Sequence, residues 1–226
     1  MNKLPSHVSA LALFPVRASR QNRPGVSIPL VGDTRLVGAA LLTHTVTASG
    51  KRAFSLRCKS LAIDEPEIEL TNWLEDELTM PGLLVGYGLY NCVLPLLQSL
   101  IRPGEHYSLG DLTAAPPHRL HDLARAPGSF TPTPFESACA QQGIDVVGPD
   151  PEQDDALFRA SLTDAVDHIV MSRAISTWRL WLNDFAMATG EEQLCNHAAA
   201  CLDAELRLHP LPTADALGRP FPTTAK

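Results

Sequence analysis

Residues 82–97, GLLVGYGLYNCVLPLL, constrain the fold more than any other stretch. The run Leu83-Leu84-Val85 is apolar throughout, as expected of a strand buried on both faces rather than on one. Gly86 and Gly88 supply a turn, and residues 90–100 then read as a helix. A strand buried on both faces needs cover above and below. The chain must therefore build a sheet with helices on each side.

The remaining segments fit that demand. Residues 8–16 (VSALALFPV) read as a central strand and 36–47 (LVGAALLTHTVT) as a second. The SGK at 49–51 reads as a hairpin turn into a third strand at 53–60. Between the first two strands lies a loop containing Pro and Gly. Residues 66–79 read as a helix, with Pro66 in the first turn, early acids, and an apolar stripe of Ile68, Trp73 or Leu70, Leu74 and Leu78. The segment 102–134 is rich in proline and reads as irregular, with at most two short helical pieces. A short helix at 135–143 ends at Gly143, a long helical region spans 155–189, and Gly190 stops it before a last helix at 191–208. The order β-β-β-α-β-α followed by helices predicts an α/β chain with a mixed central sheet flanked by helices.

Composition narrows the function. With 226 residues and 45% hydrophobic content, the chain is long enough for a substantial core. No apolar run reaches the roughly 18 residues that would suggest a membrane span, so no membrane partner is expected. The apolar VSALALF after Lys3 is short and broken by Pro15 and Arg17, and reads as a core strand rather than a signal peptide. The five cysteines, Cys58, Cys92, Cys139, Cys195 and Cys201, include no CxxC pair. They read as free thiols of a cytoplasmic protein rather than as zinc ligands or disulfides. The net charge of −7 is uneven: residues 1–60 carry +8 and the remainder −15. Such asymmetry suits a surface facing phosphate, and equally a solvated charged face.

The motif spacing resembles that of the DEDD superfamily of 3′–5′ exonucleases, in particular predicted exonucleases related to the proofreading domain of family-B DNA polymerases. That family's first motif is Phe-Asp-Ile-Glu-Thr at the end of the first strand. The matching residues here are Phe14-Pro15-Val16-Arg17-Ala18. The second motif is an Asn followed, after four residues, by Asp-Leu-Pro, and here Gly88 precedes Val93-Leu94-Pro95. The third is a Tyr four residues before an Asp, matched by Ala160 and Asp164. HYSLGDL at 106–112 and PFESACAQQGI at 134–144 are similar to the linker elements. The resemblance covers roughly residues 8–185. It implies a ribonuclease H-like three-layer fold over residues 1–190; the residue pattern adds a C-terminal helix at 191–209 and a Pro-rich tail at 210–226 expected to be disordered.

The same alignment implies that the chemistry is gone. Two-metal phosphodiester hydrolysis needs carboxylates holding two divalent ions about 4 Å apart. Of the four, only Asp164 remains; Pro15, Arg17 and Val93 stand at the others, and Ala160 replaces the tyrosine. Mg²⁺ demands oxygen ligands, which proline and valine side chains lack. No carboxylate lies between residues 1 and 32, so a displaced Asp-x-Glu in the first strand is excluded by composition. No cofactor is expected, with Mg²⁺ or Mn²⁺ relevant only if the chain is active. The alternative metal set is Asp164, Asp167 and His168, at i, i+3 and i+4 on one helix face; a solvated face is the plainer reading.

Other constellations carry less. His118, His121 and Asp122 read as a loop-to-helix surface. GLLVGYG lacks the Lys-Ser/Thr and the spacing of phosphate loops. Ser137 and Cys139 have no base in reach, and Trp73, Trp178 and Trp181 read as core or interface residues. The expected function is a degenerate, catalytically inactive exonuclease-like domain that binds DNA or RNA through Arg17, Arg20, Arg23, Lys51 and Arg52. The alternatives are a protein-interaction subunit of a nucleic-acid-processing complex and an active metal-dependent 3′–5′ exonuclease with unusual ligands.

Overall fold

The computed structural model describes residues 4–17, 34–79, 82–102, 104–124, 133–146 and 150–211. Five strands form one mixed sheet. They are β1 (His7–Arg17), β2 (Thr34–Val46), β3 (Arg52–Ser60), β4 (Leu83–Gly86) and β5 (Leu120–Asp122), in the order β3-β2-β1-β4-β5. β2 runs antiparallel to β1 and β3, while β1, β4 and β5 are parallel. Helices cover both faces, so the α/β three-layer expectation holds.

One layer is α6 (Thr163–Thr189), with α5 (Pro151–Arg159) and α7 (Glu192–Leu208) beside it. Phe14, Val37, Val85 and Val170 meet Trp178 and Trp181 in this core, and Cys195, Ala198 and Leu202 of α7 belong to it. The C-terminal helix is thus part of the same body as the first 190 residues. The other layer holds α1 (Ile68–Glu77), α2 (Leu94–Leu100) and α3 (Tyr107–Thr113), packed on Leu11, Leu36, Leu41 and Leu84. The small α4 (Phe135–Gln141) leans on Leu180 of α6.

β1 lies at the centre and carries Pro15, which has no N–H to give a ladder. The β1–β2 register accordingly breaks between Phe14 and Pro15: Phe14 faces Gly38 and Pro15 faces Leu36, leaving Val37 as the extra residue. The bulge shifts the parity of β2, so Leu36, Ala39 and Leu41 face one layer while Val37, Ala40 and Leu42 face the other. On its other side β1 pairs with β4 only over Val8–Ala10. The carboxyl half of β1 therefore runs on without a parallel neighbour.

Three expectations are corrected. The segment 102–134 contains a fifth strand, and HRLHDL is the end of that connection rather than a loop-to-helix surface: Leu120, His121 and Asp122 pair with Leu84, Val85 and Gly86. The 155–189 region is two helices, since the chain turns at Ser161 with φ 55°. The first of them starts at Pro151, four residues before the expected start, and is capped by Asp150, which accepts from the Glu152 and Gln153 N–H groups. The helix expected at 90–100 begins as a π-helical turn, Leu89–Val93. Pro95 cannot return an N–H to the Asn91 carbonyl and its ring crowds that carbonyl, which widens the turn. The loop 18–33 and the tail from residue 212 onward lie outside the described residues.

Candidate functional site

Where β1 outruns β4, a cavity of about 380 Å³ opens. It sits at the carboxyl ends of two parallel strands. It also marks the point where the chain leaves β1 toward β2 and later crosses back to β4, the switch point at which open α/β sheets bind ligands.

The walls follow from local sequence. β1 contributes Leu11, Leu13 and Pro15. After β4 the backbone turns at Gly88, whose φ of 70° suits glycine, and the π turn brings Asn91, Cys92 and Val93 to the cavity. The start of that turn is held by the Asp122 carboxylate. It accepts from the backbone N–H groups of Gly88 (2.8 Å), Tyr90 (3.0 Å) and Ala124 (3.0 Å). Tyr87 donates its hydroxyl to the Thr133 carbonyl and packs edge-on against Phe135, ring centroids 5.0 Å apart. α5 is clipped to the end of β1, because the Arg17 N–H donates to Asp155 at 2.7 Å.

The floor is polar. One nitrogen of the Arg173 guanidinium lies 3.1 Å from both oxygens of Asp154, and both side chains are 5% exposed. The same guanidinium stands 5.1 Å from the centre of the Phe14 ring. Burial raises the Asp154 carboxyl to about 6 against the lowering pull of Arg173, and burial also draws Arg173 down. Thr177 donates its hydroxyl to the Arg173 carbonyl one turn back. A paired charge on a dry floor under apolar walls makes the cavity nearly neutral overall.

The sequence-predicted residues divide. Pro15 and Val93, aligned to two of the carboxylate positions, do meet in this one cavity. Arg17, Ala160 and Asp164 are not among its lining residues. Arg17 is exposed two residues beyond Pro15; Ala160 caps the end of α5; Asp164 is exposed in the first turn of α6. Asp167 accepts from the Ser60 hydroxyl at 2.6 Å, and burial raises its carboxyl above the usual range. Among the described residues no group of three or more His, Cys, Asp or Glu side chains is placed to hold a metal, and Asp164, Asp167 and His168 do not form one. Arg17 and the pair Lys51 and Arg52 lie at opposite ends of the sheet. Arg52 is opposite Val46 beside the His7 end of β1, and ten strand residues separate His7 from Arg17, roughly 33 Å. Arg52 instead lies 3.2 Å from the His44 ring nitrogen. Arg20 and Arg23 lie outside the described residues.

The donor set does not fit a divalent ion. Pro15 and Val93 offer no oxygen from their side chains, the charge of the Asp154 carboxylate is already offset by Arg173, and the Tyr87 proton is committed to Thr133. Sequence reasoning missed the Asp154–Arg173 pair. One signal was present: Arg173 falls in the apolar series Val166, Val170, Thr177 on the buried face of α6, where an unpaired cation is not tolerated. No protein-family model matches this chain, and no curated protein does.

Proposed function

We propose that this chain is a non-catalytic, exonuclease-like binding domain. The observation that carries the reading is the meeting of Pro15 and Val93 in one cavity, over a floor whose carboxylate, Asp154, is paired with Arg173. Hydrolysis by two metal ions needs several free carboxylates at one point, and the described residues lining this cavity include a single carboxylate, Asp154, which is paired. In the nucleic-acid version, phosphate meets Arg17 at the end of β1. The charges at Lys51 and Arg52 lie too far away to join the same short contact.

A protein-interaction role is the second reading. The exposed Cys92 lines the apolar cavity and Tyr90 (38% exposed) stands in the same π turn, and an exposed aromatic residue near such a cavity suits contact with a protein partner. Fluorescence anisotropy of an end-labelled single-stranded oligonucleotide, with Mg²⁺ or Mn²⁺ present, separates these. A stable rise that weakens with salt and with Arg17→Glu supports nucleic-acid binding. A flat trace moves the role to a protein partner. A fall below the starting value, reporting cleavage, would overturn the non-catalytic reading.

A further inference from the structure

We infer that the cavity between β1, the π turn, α5 and α6 is a binding site for a compact, uncharged, mostly apolar small molecule carrying an amide-type edge. Its volume of about 380 Å³ lies in the range of pockets that enclose small ligands, which are apolar with a few fixed polar groups. Besides Asp154 and Arg173 the described lining includes the polar Asn91, Thr177 and Tyr87, and the rest is mainly hydrocarbon, from Leu11, Leu13, Val93, Leu96 and Phe135. Such walls reward apolar surface and penalise a bare charge.

The polar floor selects the head group. The Asp154 and Arg173 side chains are each 5% exposed and line the cavity together. A carboxylate accepts and a guanidinium only donates. A ligand edge with one N–H and one C=O side by side meets both, whereas a carboxylate head would face Asp154 and an ammonium head would face Arg173. The Arg173 guanidinium is already stacked over Phe14, so it is held in place before any ligand arrives.

Cys92 reports occupancy. It lines the cavity and is exposed, while Cys139 and Cys195 are buried and Cys201 lies on the distant α7 as an internal control. The experiment is iodoacetamide alkylation of the full chain, resolved by peptide mass spectrometry, with benzamide as the probe and toluene, benzoate and an oligothymidylate as comparisons. Benzamide should slow labelling of Cys92 about fourfold at three times its Kd, the factor 1 + [L]/Kd, and leave Cys201 unchanged. Leu13→Trp fills the cavity and should abolish the protection. Asp154→Asn keeps the volume and should remove the preference for benzamide over toluene. Wild-type titration alone decides the matter if Leu13→Trp does not fold. No protection by benzamide overturns the proposal, as does equal protection by toluene or benzoate. Protection by the oligothymidylate in place of benzamide also overturns it and assigns the cavity to nucleic acid. The inference does not rest on nucleic-acid binding at Arg17, which the anisotropy assay tests separately.

Discussion

Replacing Arg173 with methionine should destabilise this protein more than deleting the whole ion pair does. Both partners are 5% exposed, and one guanidinium nitrogen serves both carboxylate oxygens at 3.1 Å. Removing the cation leaves Asp154 buried and uncompensated, which costs about 3–5 kcal/mol. For a chain of this size that lowers Tm by about 6–20 °C. Met keeps most of the volume over Phe14, so lost packing is a minor part. In Asp154→Leu/Arg173→Met no charge is stranded, and stability should return to within about 1.5 kcal/mol of wild type. The pH dependence has a definite sign. Asp154 already sits at about 6 through burial, and losing the guanidinium raises it further. A carboxyl raised in the folded state binds its proton where the unfolded chain does not, so falling pH favours the fold. The deficit of Arg173→Met should therefore be largest at pH 8 and shrink toward pH 5. Equilibrium urea unfolding at four pH values measures this. A single variant costing under about 1 kcal/mol, or a double variant costing the sum of both singles, would refute a desolvated pair.

Two further outcomes follow from named contacts. Burial, then Arg52 and then His7, hold the His44 imidazole down at about 4. Because the folded value is depressed, stability should fall as pH drops from 6.5 to 4, by about 3 kcal/mol, and His44→Phe should flatten that slope in the same unfolding assay. Asp122→Ala removes an acceptor from three backbone N–H groups, so it should cost about 2–3 kcal/mol and speed amide exchange at Gly88 and Tyr90 by hydrogen-exchange mass spectrometry.

Much of the fold was legible because burial imposed periods on the sequence. β1, β2 and β3 carry strand patterns over nine or more residues, and Leu83-Leu84-Val85 announced cover on both faces. β5 was not legible: three residues are too few to show a period, and only the parallel partner β4 makes them a strand. The break at Ser161 escaped notice because its φ of 55° falls on a residue other than glycine, the usual marker. At the site, Pro15 and Val93 were singled out by the motif resemblance, and both line the cavity. Arg17, Lys51 and Arg52 were grouped by nearness in sequence, and antiparallel pairing sends the hairpin turn to the far end of the sheet from Arg17. Asp154 and Arg173 stand 19 residues apart on separate helices, and no local pattern links them.

The unequal ladders of the sheet divide the molecule in time as well as in space. β1, β2 and β3 form a long antiparallel meander with a tight hairpin between its last two strands, so much of its pairing closes short loops. β4 is tied to β1 over Val8–Ala10 and to β5 over Leu120–Asp122, and both contacts join distant parts of the chain. The wall carrying Val93 is therefore tied to the meander through the short β1–β4 ladder and through side-chain packing, not through a long ladder. A ligand held in the cavity would add a second tie, bridging β1 of the meander to the π turn that follows β4.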